Sequence, residues 1–263
     1  TNIPGRILDM VEDPGKGRVF VSADGNTEPH LVDFSLFKIY TLDDTTMKVD
    51  ETEALGMFLV ADPLGRYLFA GFHTLWSPQV MLDSAFLNIS PRRGHIDHLV
   101  RYRLAPEGLI FDGQRAAPGI GGRGMVCHPA GDTVCYIALE GGGEQKKANS
   151  VRFGASAFEA TDLTVLTGMY DAGGWIEFMG FNPILPEVYI CSGKQVRRFS
   201  RDDFKIVNEV QLPSSAGKSQ VTAFTVMPSG AGFLAAYNGK SPGVFIHRFT
   251  AAPATDRIPA PAP

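Results

Sequence analysis

The chain has 263 residues, 44% of them hydrophobic, enough to bury a substantial core as one large all-β domain or two small ones. A net charge of −4 lacks the basic field that a nucleic-acid or anionic-membrane partner needs. No apolar run reaches the roughly 18 residues of a membrane-spanning helix, so neither nucleic acid nor membrane is expected as a partner. The three cysteines, Cys127, Cys135 and Cys191, are an odd set in a chain too large to need staples. They read as reduced, buried thiols of a cytoplasmic protein, although a start at Thr1 leaves a removed signal peptide open.

Along the chain, one pattern recurs five times: "DMVEDPGKGRVFVSADG", "FLVADPLGRYLFAGF", "GMVCHPAGDTVCYIALE", "FMGFNPILPEVYICSG" and "FTVMPSGAGFLAAYNG". Each is a short apolar strand, a turn built on proline and usually glycine, and a second strand rich in β-branched and aromatic residues. Proline presets φ at the turn and glycine supplies the positive φ that closes it, so the pair defines a hairpin by mechanism. Pro14, Pro63, Pro129, Pro183 and Pro228 stand 45 to 66 residues apart, near the length of a four-stranded propeller blade. After each hairpin an alternating strand follows, as in "LFKIYTLDD" and "QVRRFSRDDFKIV", and in the first four units another strand comes after it.

The expected fold class is therefore all-β, a β-propeller of five four-stranded blades in a single domain over residues 1–250. A long lid-like insertion (73–98) lies in the second blade. The fifth unit shows no fourth strand, and residues 251–263, rich in proline and alanine, read as a C-terminal strap. A pair of β-sandwiches is the rival arrangement.

"DPLGRYLFAG" and "CHPAGDTVCYIALEGG", preceded by "HLVRYRLAPEGLIFDGQRAAPGIGGRG", resemble the lactonase-type propellers. That family includes the phosphogluconolactonase-like proteins and the carboxymuconate cyclases, and the likeness covers about residues 57–142. It implies that Arg123 matches the family arginine, His128-Pro129 its turn and Glu140 its terminal glutamate. Gly124 stands where the family usually has histidine.

Ligands of propellers meet the loops that enter the first strand of a blade or leave the second. Entering loops here carry Arg6, Arg123, Trp175 and Glu177; leaving loops carry His30, His73, Trp76, Glu140, Lys194 and Lys240. Arg123 and Lys194 suit a carboxylate or a developing oxyanion, since a guanidinium fork binds two oxygens and a desolvated cation stabilises negative charge. An ion pair between Arg123 and Glu140 that merely fixes the loop is the competing reading. His73 is the candidate general base, because imidazole titrates near neutrality, and Glu140 is the alternative. Arg6, Trp76, Trp175, Glu177, Lys194 and Lys240 are the candidate substrate-binding residues, with inter-blade packing the other role for Trp175.

The insertion contains Trp76, Met81, Phe86 and Leu87, too apolar for a solvated linker, and suggests a cover for the channel or an oligomer contact. At its end, "HIDH" invites a metal reading. On a strand, however, His95 and Asp97 share one face while His98 points to the other, so no metal site is assigned. "GIGGRG" opens no helix after a strand, which removes a dinucleotide reading, and no Gly-x-Ser-x-Gly elbow is present. The Asp-Pro pairs at Asp13 and Asp62 fall in hairpin turns, away from where axial glycosidase carboxylates belong.

The reading that results is a cofactor-independent enzyme acting in the central channel on a small organic acid or lactone, by hydrolysis, cyclisation or proton-transfer isomerisation. Its substrate would be a small anionic or carbonyl-containing molecule. The alternative is a non-catalytic propeller serving as a ligand-binding or protein-interaction platform.

Overall fold

The computed structural model describes residues 2–14, 16–26, 36–43, 45–72, 98–116, 119–120, 124–138, 140–141, 154–171, 176–192, 195–211, 220–227, 229, 231–237 and 244–250. Within them the strands form antiparallel meanders in chain order. The first sheet is β1 (Arg6–Glu12), β2 (Arg18–Asp24), β3 (Phe37–Asp43) and β4 (Val49–Leu55). The second is β5 (Phe58–Ala61), β6 (Tyr67–Phe72), β7 (His98–Ala105) and β8 (Gly108–Ala116). A short ribbon of β9 (Gly119–Ile120) and β12 (Glu140–Gly141) accompanies the third sheet, β10 (Gly124–Cys127), β11 (Thr133–Ala138), β13 (Gly154–Glu159) and β14 (Val165–Asp171). The fourth is β15 (Ile176–Phe181), β16 (Glu187–Ser192), β17 (Gln195–Ser200) and β18 (Ile206–Gln211). The fifth has three strands among the described residues, β19 (Gln220–Val226), β20 (Ala231–Tyr237) and β21 (Val244–Thr250). Repeated four-stranded meanders of this kind are the blades of a β-propeller. The chain divides into two compact units, Thr1–Met169 and Tyr170–Pro263, with the boundary inside β14.

Four of the repeated prolines sit where the sequence places them, in the turn between the first and second strands of a sheet. The residue before each proline organises the turn. Asp13, Asp62, His128 and Asn182 are all buried, and each donates its backbone N–H across the hairpin, to Arg18, Tyr67, Thr133 and Glu187 carbonyls at 2.8–3.0 Å. Their side chains then accept from the turn itself: Asp62 from Leu64 N at 3.0 Å and Asn182 from Ile184 N at 2.9 Å. His128 Nδ1 accepts from Ala130 N at 3.1 Å. These are Asx-type turns, in which a short polar side chain stands in for a backbone acceptor. Glycine supplies the positive φ at Gly17, Gly65 and Gly131.

A second repeated turn joins the third and fourth strands. In the first, third and fourth sheets Asp43, Glu159 and Ser200 donate N–H to the carbonyls of Lys48, Thr164 and Lys205. Met47, Leu163 and Phe204 in turn donate N–H to the carbonyls of Asp43, Glu159 and Ser200. Met47, Leu163 and Phe204 have φ of 55°, 61° and 59°, a left-handed conformation that bulky residues seldom adopt. The second sheet departs from this pattern and turns tightly through Ala105, Pro106, Glu107 and Gly108.

In the first unit, side chains of successive residues go to opposite faces of a strand, and both faces are buried. Leu68 and Ala70 of β6 join Phe20, Ile39 and Val100 in the core between the first and second sheets, whereas Phe69 joins Leu99, Met125, Val134 and Phe158 in the core between the second and third. In the second unit Tyr189, Cys191, Val196 and Leu234 form the core between the fourth and fifth sheets. Full burial of a side chain of this size contributes about 1.5–3 kcal/mol, so face-to-face stacking of sheets dominates the stability.

Candidate functional site

Antiparallel pairing gives every sheet two distinct ends. The proline turns and the third-to-fourth turns occupy one end; the start of the first strand and the second-to-third connection occupy the other. In sequence, all six candidates from leaving loops lie in the second-to-third connections, which belong to this second end. His30 lies between β2 and β3, His73 and Trp76 between β6 and β7, Glu140 between β11 and β13, Lys194 between β16 and β17, and Lys240 between β20 and β21. The insertion leaves from Phe72 and returns at His98, residues paired directly opposite each other, so it is rooted there as well.

Of these candidates, His30, His73, Trp76, Lys194 and Lys240, together with Arg123 and Trp175, lie outside the described residues, as do His95 and Asp97. Glu140 is in β12, its backbone paired opposite Ile120 of β9, so the ribbon carries it beyond the Gly124–Ile137 pair that ends the β10–β11 hairpin. Arg123 lies in sequence between β9 and β10. Arg6 begins β1 opposite Asp24, and its exposed guanidinium pairs with that carboxylate at 3.2 Å. Glu177 is the extra residue of a β-bulge between Ile176 and Phe178, half-buried, and its charge adds to the burial that pushes the Cys191 thiol up to about 12. His98 is buried in β7. Among the described residues no group of three or more His, Cys, Asp or Glu side chains is placed to hold a metal ion.

The sequence does not reveal the bulges. β1, β15 and β19 each carry one near the start, at Leu8, Glu177 and Thr222, in three first strands of the repeat. A bulge bends the strand and re-aims the side chains beside it, a device common next to binding sites. Its signal is weak because one unpaired residue leaves the hydrophobic alternation nearly intact.

The thiols do not form a bridge: all three cysteines are free. Cys127 pairs opposite Val134 and Cys135 opposite Val126, which sends the two sulfurs to opposite faces of the hairpin. Burial pushes Cys127 up to about 12 and Cys135 well above its ordinary value, so neither supplies a thiolate at neutral pH.

Asp9 is the half-buried carboxylate of β1. It accepts from Leu59 N at 2.8 Å and Met10 N at 2.9 Å, tying the first strand of one sheet to the first strand of the next. Burial raises its pKa and the two N–H groups hold it down.

No family model and no curated protein matches this sequence. Solved structures do match. The chain is similar to the β-propeller domain of Cps50 (Swd1) from Myceliophteria thermophila, with a TM-score of 0.56 and 10% identity over 95% of this chain and 73% of that one. It is similar to Sqt1 of Saccharomyces cerevisiae, with a TM-score of 0.57 and 10% identity, spanning 94% of this chain and 63% of Sqt1. Hydrazine synthase of Kuenenia stuttgartiensis matches with a TM-score of 0.58 and 14% identity over 92% of this chain and 71% of that one. At such identities the likeness speaks to fold alone: the protein is a β-propeller.

Proposed function

We propose that this propeller is a cofactor-independent enzyme that binds a small organic acid or lactone at the loop-bearing end of its sheets and moves a proton on it. The observation that carries the reading is the division of labour between sheet ends. At the proline end, Asp13, Asp62, His128 and Asn182 are buried and hold the hairpins together, Asn182 also reaching Met227 O of the next sheet. The residues with acid–base and anion-binding chemistry are gathered by sequence position at the other end. The resemblance over residues 57–142 supports the same assignment, because it matches Arg123 and Glu140 to family positions on either side of one hairpin.

In this scheme a C–H bond beside the substrate carbonyl breaks. The proton passes to His73 or Glu140, and the electron pair moves onto the carbonyl oxygen, where Arg123 stabilises it. Arg6 and Trp76 shape the binding surface, and the 73–98 segment keeps water from the intermediate. The test is deuterium incorporation and ring opening across a panel of lactones and 2-oxo acids, followed by NMR. The His73→Ala/Glu140→Ala variant should stay folded and lose roughly 10²–10⁴-fold in rate. Turnover equal to wild type in that variant overturns the proposal.

One observation favours the platform reading: Ile7 and Met10 of β1 are 51% and 60% exposed, two large apolar side chains on a first strand that are suited to contact with another molecule. On that reading the same variant binds its ligand unchanged and the panel shows no turnover.

A further inference from the structure

A cleft of about 600 Å³ opens in the first unit between β4 and the turn from β7 to β8, within the roughly 300–1,000 Å³ class of specific ligand sites. One wall is β4, the other is Pro106, Glu107 and Gly108, and half-buried Leu109 and Ile110 form an apolar floor. The second sheet departs here from the third-to-fourth turn of its neighbours. At Gly108, φ is 135° and an added Cβ would meet nothing within 4 Å, so the turn has open space at that position.

The charges are unevenly matched. Asp50, Glu51, Glu53 and Glu107 line the cleft, against Arg18 and Lys48. Lys48 is paired with Asp50 at 2.9 Å, Arg18 with Asp13 at 2.7 Å, and Glu51 with Lys38 at 3.4 Å. Glu53 and Glu107, on facing walls, remain without an ion pair among the described residues. β4 is also bulged at this point. Its register with β3 shifts between Lys38 and Tyr40, and Thr52 Oγ1 donates to Ile39 O at 2.6 Å in place of a regular ladder bond. The bulge leaves Glu53 exposed on the cleft side. Finally, β4 pairs with β3 alone among the described residues; the Tyr102 hydroxyl takes the N–H and C=O of Leu55 at its end, and the outer backbone groups before Leu55 form an open sheet edge beside the carboxylates.

We propose that this cleft takes an extended, lysine- or arginine-bearing segment of a partner protein, added along the open edge of β4 with a basic side chain between Glu53 and Glu107. An extended peptide supplies both things the cleft lacks: backbone partners for the edge and positive charge for the two carboxylates. A small polycation would satisfy the second alone. The site does not depend on the loop-end chemistry.

The probe is a short fluorescein-labelled peptide of alternating lysine and valine, titrated into the full chain and followed by anisotropy, with a glutamate–valine peptide and spermidine as comparators. The lysine peptide should bind with an affinity that falls as salt rises, and it should slow hydrogen exchange of the β4 amides. Glu53→Gln with Glu107→Gln should weaken it roughly 5–10-fold, with the thermal midpoint and the loop-end chemistry unchanged. Equal binding of the glutamate peptide overturns the proposal, as does full affinity in the double variant. Spermidine displacing the peptide with no protection of β4 overturns it in favour of a polycation site.

Discussion

The two ends of each sheet are built by opposite rules. At the proline end the connections are short, and their polar groups bond mostly within the turn or to the turn of the neighbouring sheet. The turns also rest on one another in chain order: a Cβ at Gly65 would lie 3.0 Å from the Pro14 carbonyl, and one at Gly131 would collide with Asp62 and Arg66. At the opposite end the second-to-third connections run from two residues, 193–194, to the twenty-five of 73–97. Stability thus concentrates at one end and variation at the other, the usual division between a scaffold and the loops that carry function.

Substitutions that attack each end sharpen the contrast. Asp62 is wholly buried and accepts from Leu64 N and from Arg66 Nε at 2.6 Å. Asp62→Ala should cost about 3 kcal/mol in chemical denaturation, since it strands turn donors and one side of an ion pair. Leu163→Gly, which relieves a left-handed φ but empties a site in the core between the second and third sheets, should cost about 2–3 kcal/mol. Met47 occupies the same turn position but is 53% exposed, so Met47→Gly removes strain with no core to lose and should stabilise by about 0.5–1 kcal/mol. A loss there would show that the repeat is not governed by backbone strain. His73→Ala/Glu140→Ala, at the loop end, should move stability by no more than about 0.5 kcal/mol.

The smallest effect is one of pH. Backbone N–H groups hold Asp43 and Asp162 below the usual carboxylate range, with the Thr46 hydroxyl helping at Asp43, and the Lys205 and Ser200 side chains do the same for Asp203. A carboxyl whose folded pKa is depressed contributes stability above its unfolded value of about 4. That contribution is lost as pH falls through the lowered value. Asp9, raised by burial, has the opposite sign and loses stability as pH rises through its own range. The thermal midpoint should therefore fall modestly on acidification, and Thr46→Ala, which removes one donor from Asp43, should shrink that fall.

The proline turns were legible because proline and glycine fix φ without help from the rest of the chain. The four-stranded unit could then be read from strand alternation between them. The other turn escaped notice because its left-handed position is filled by Met47, Leu163 and Phe204, where sequence rules look for glycine or asparagine. "TTMKV", "TDLTV" and "DDFKI" carry the signal, since each sets a hydrophobic residue between a polar turn and the next strand. The cleft was equally hidden, for it depends on a bulge in β4 and on a turn two strands into the next sheet. The leaving-loop candidates, by contrast, are assigned to their connections by strand order alone, and of them only Glu140 lies among the described residues.

Where sheets touch within a unit, they hold their sequence neighbours. Asp9 accepts from Leu59 N of the second sheet, Arg66 Nη2 donates to Gly131 O of the third, and Arg101 Nη1 donates to Ala160 O at 2.9 Å. In the second unit Asn182 Nδ2 donates to Met227 O at 3.3 Å. Each clasp joins a sheet to the one translated just after it, so within each unit a nascent chain can secure a new sheet on its predecessor while the remainder is still being synthesised.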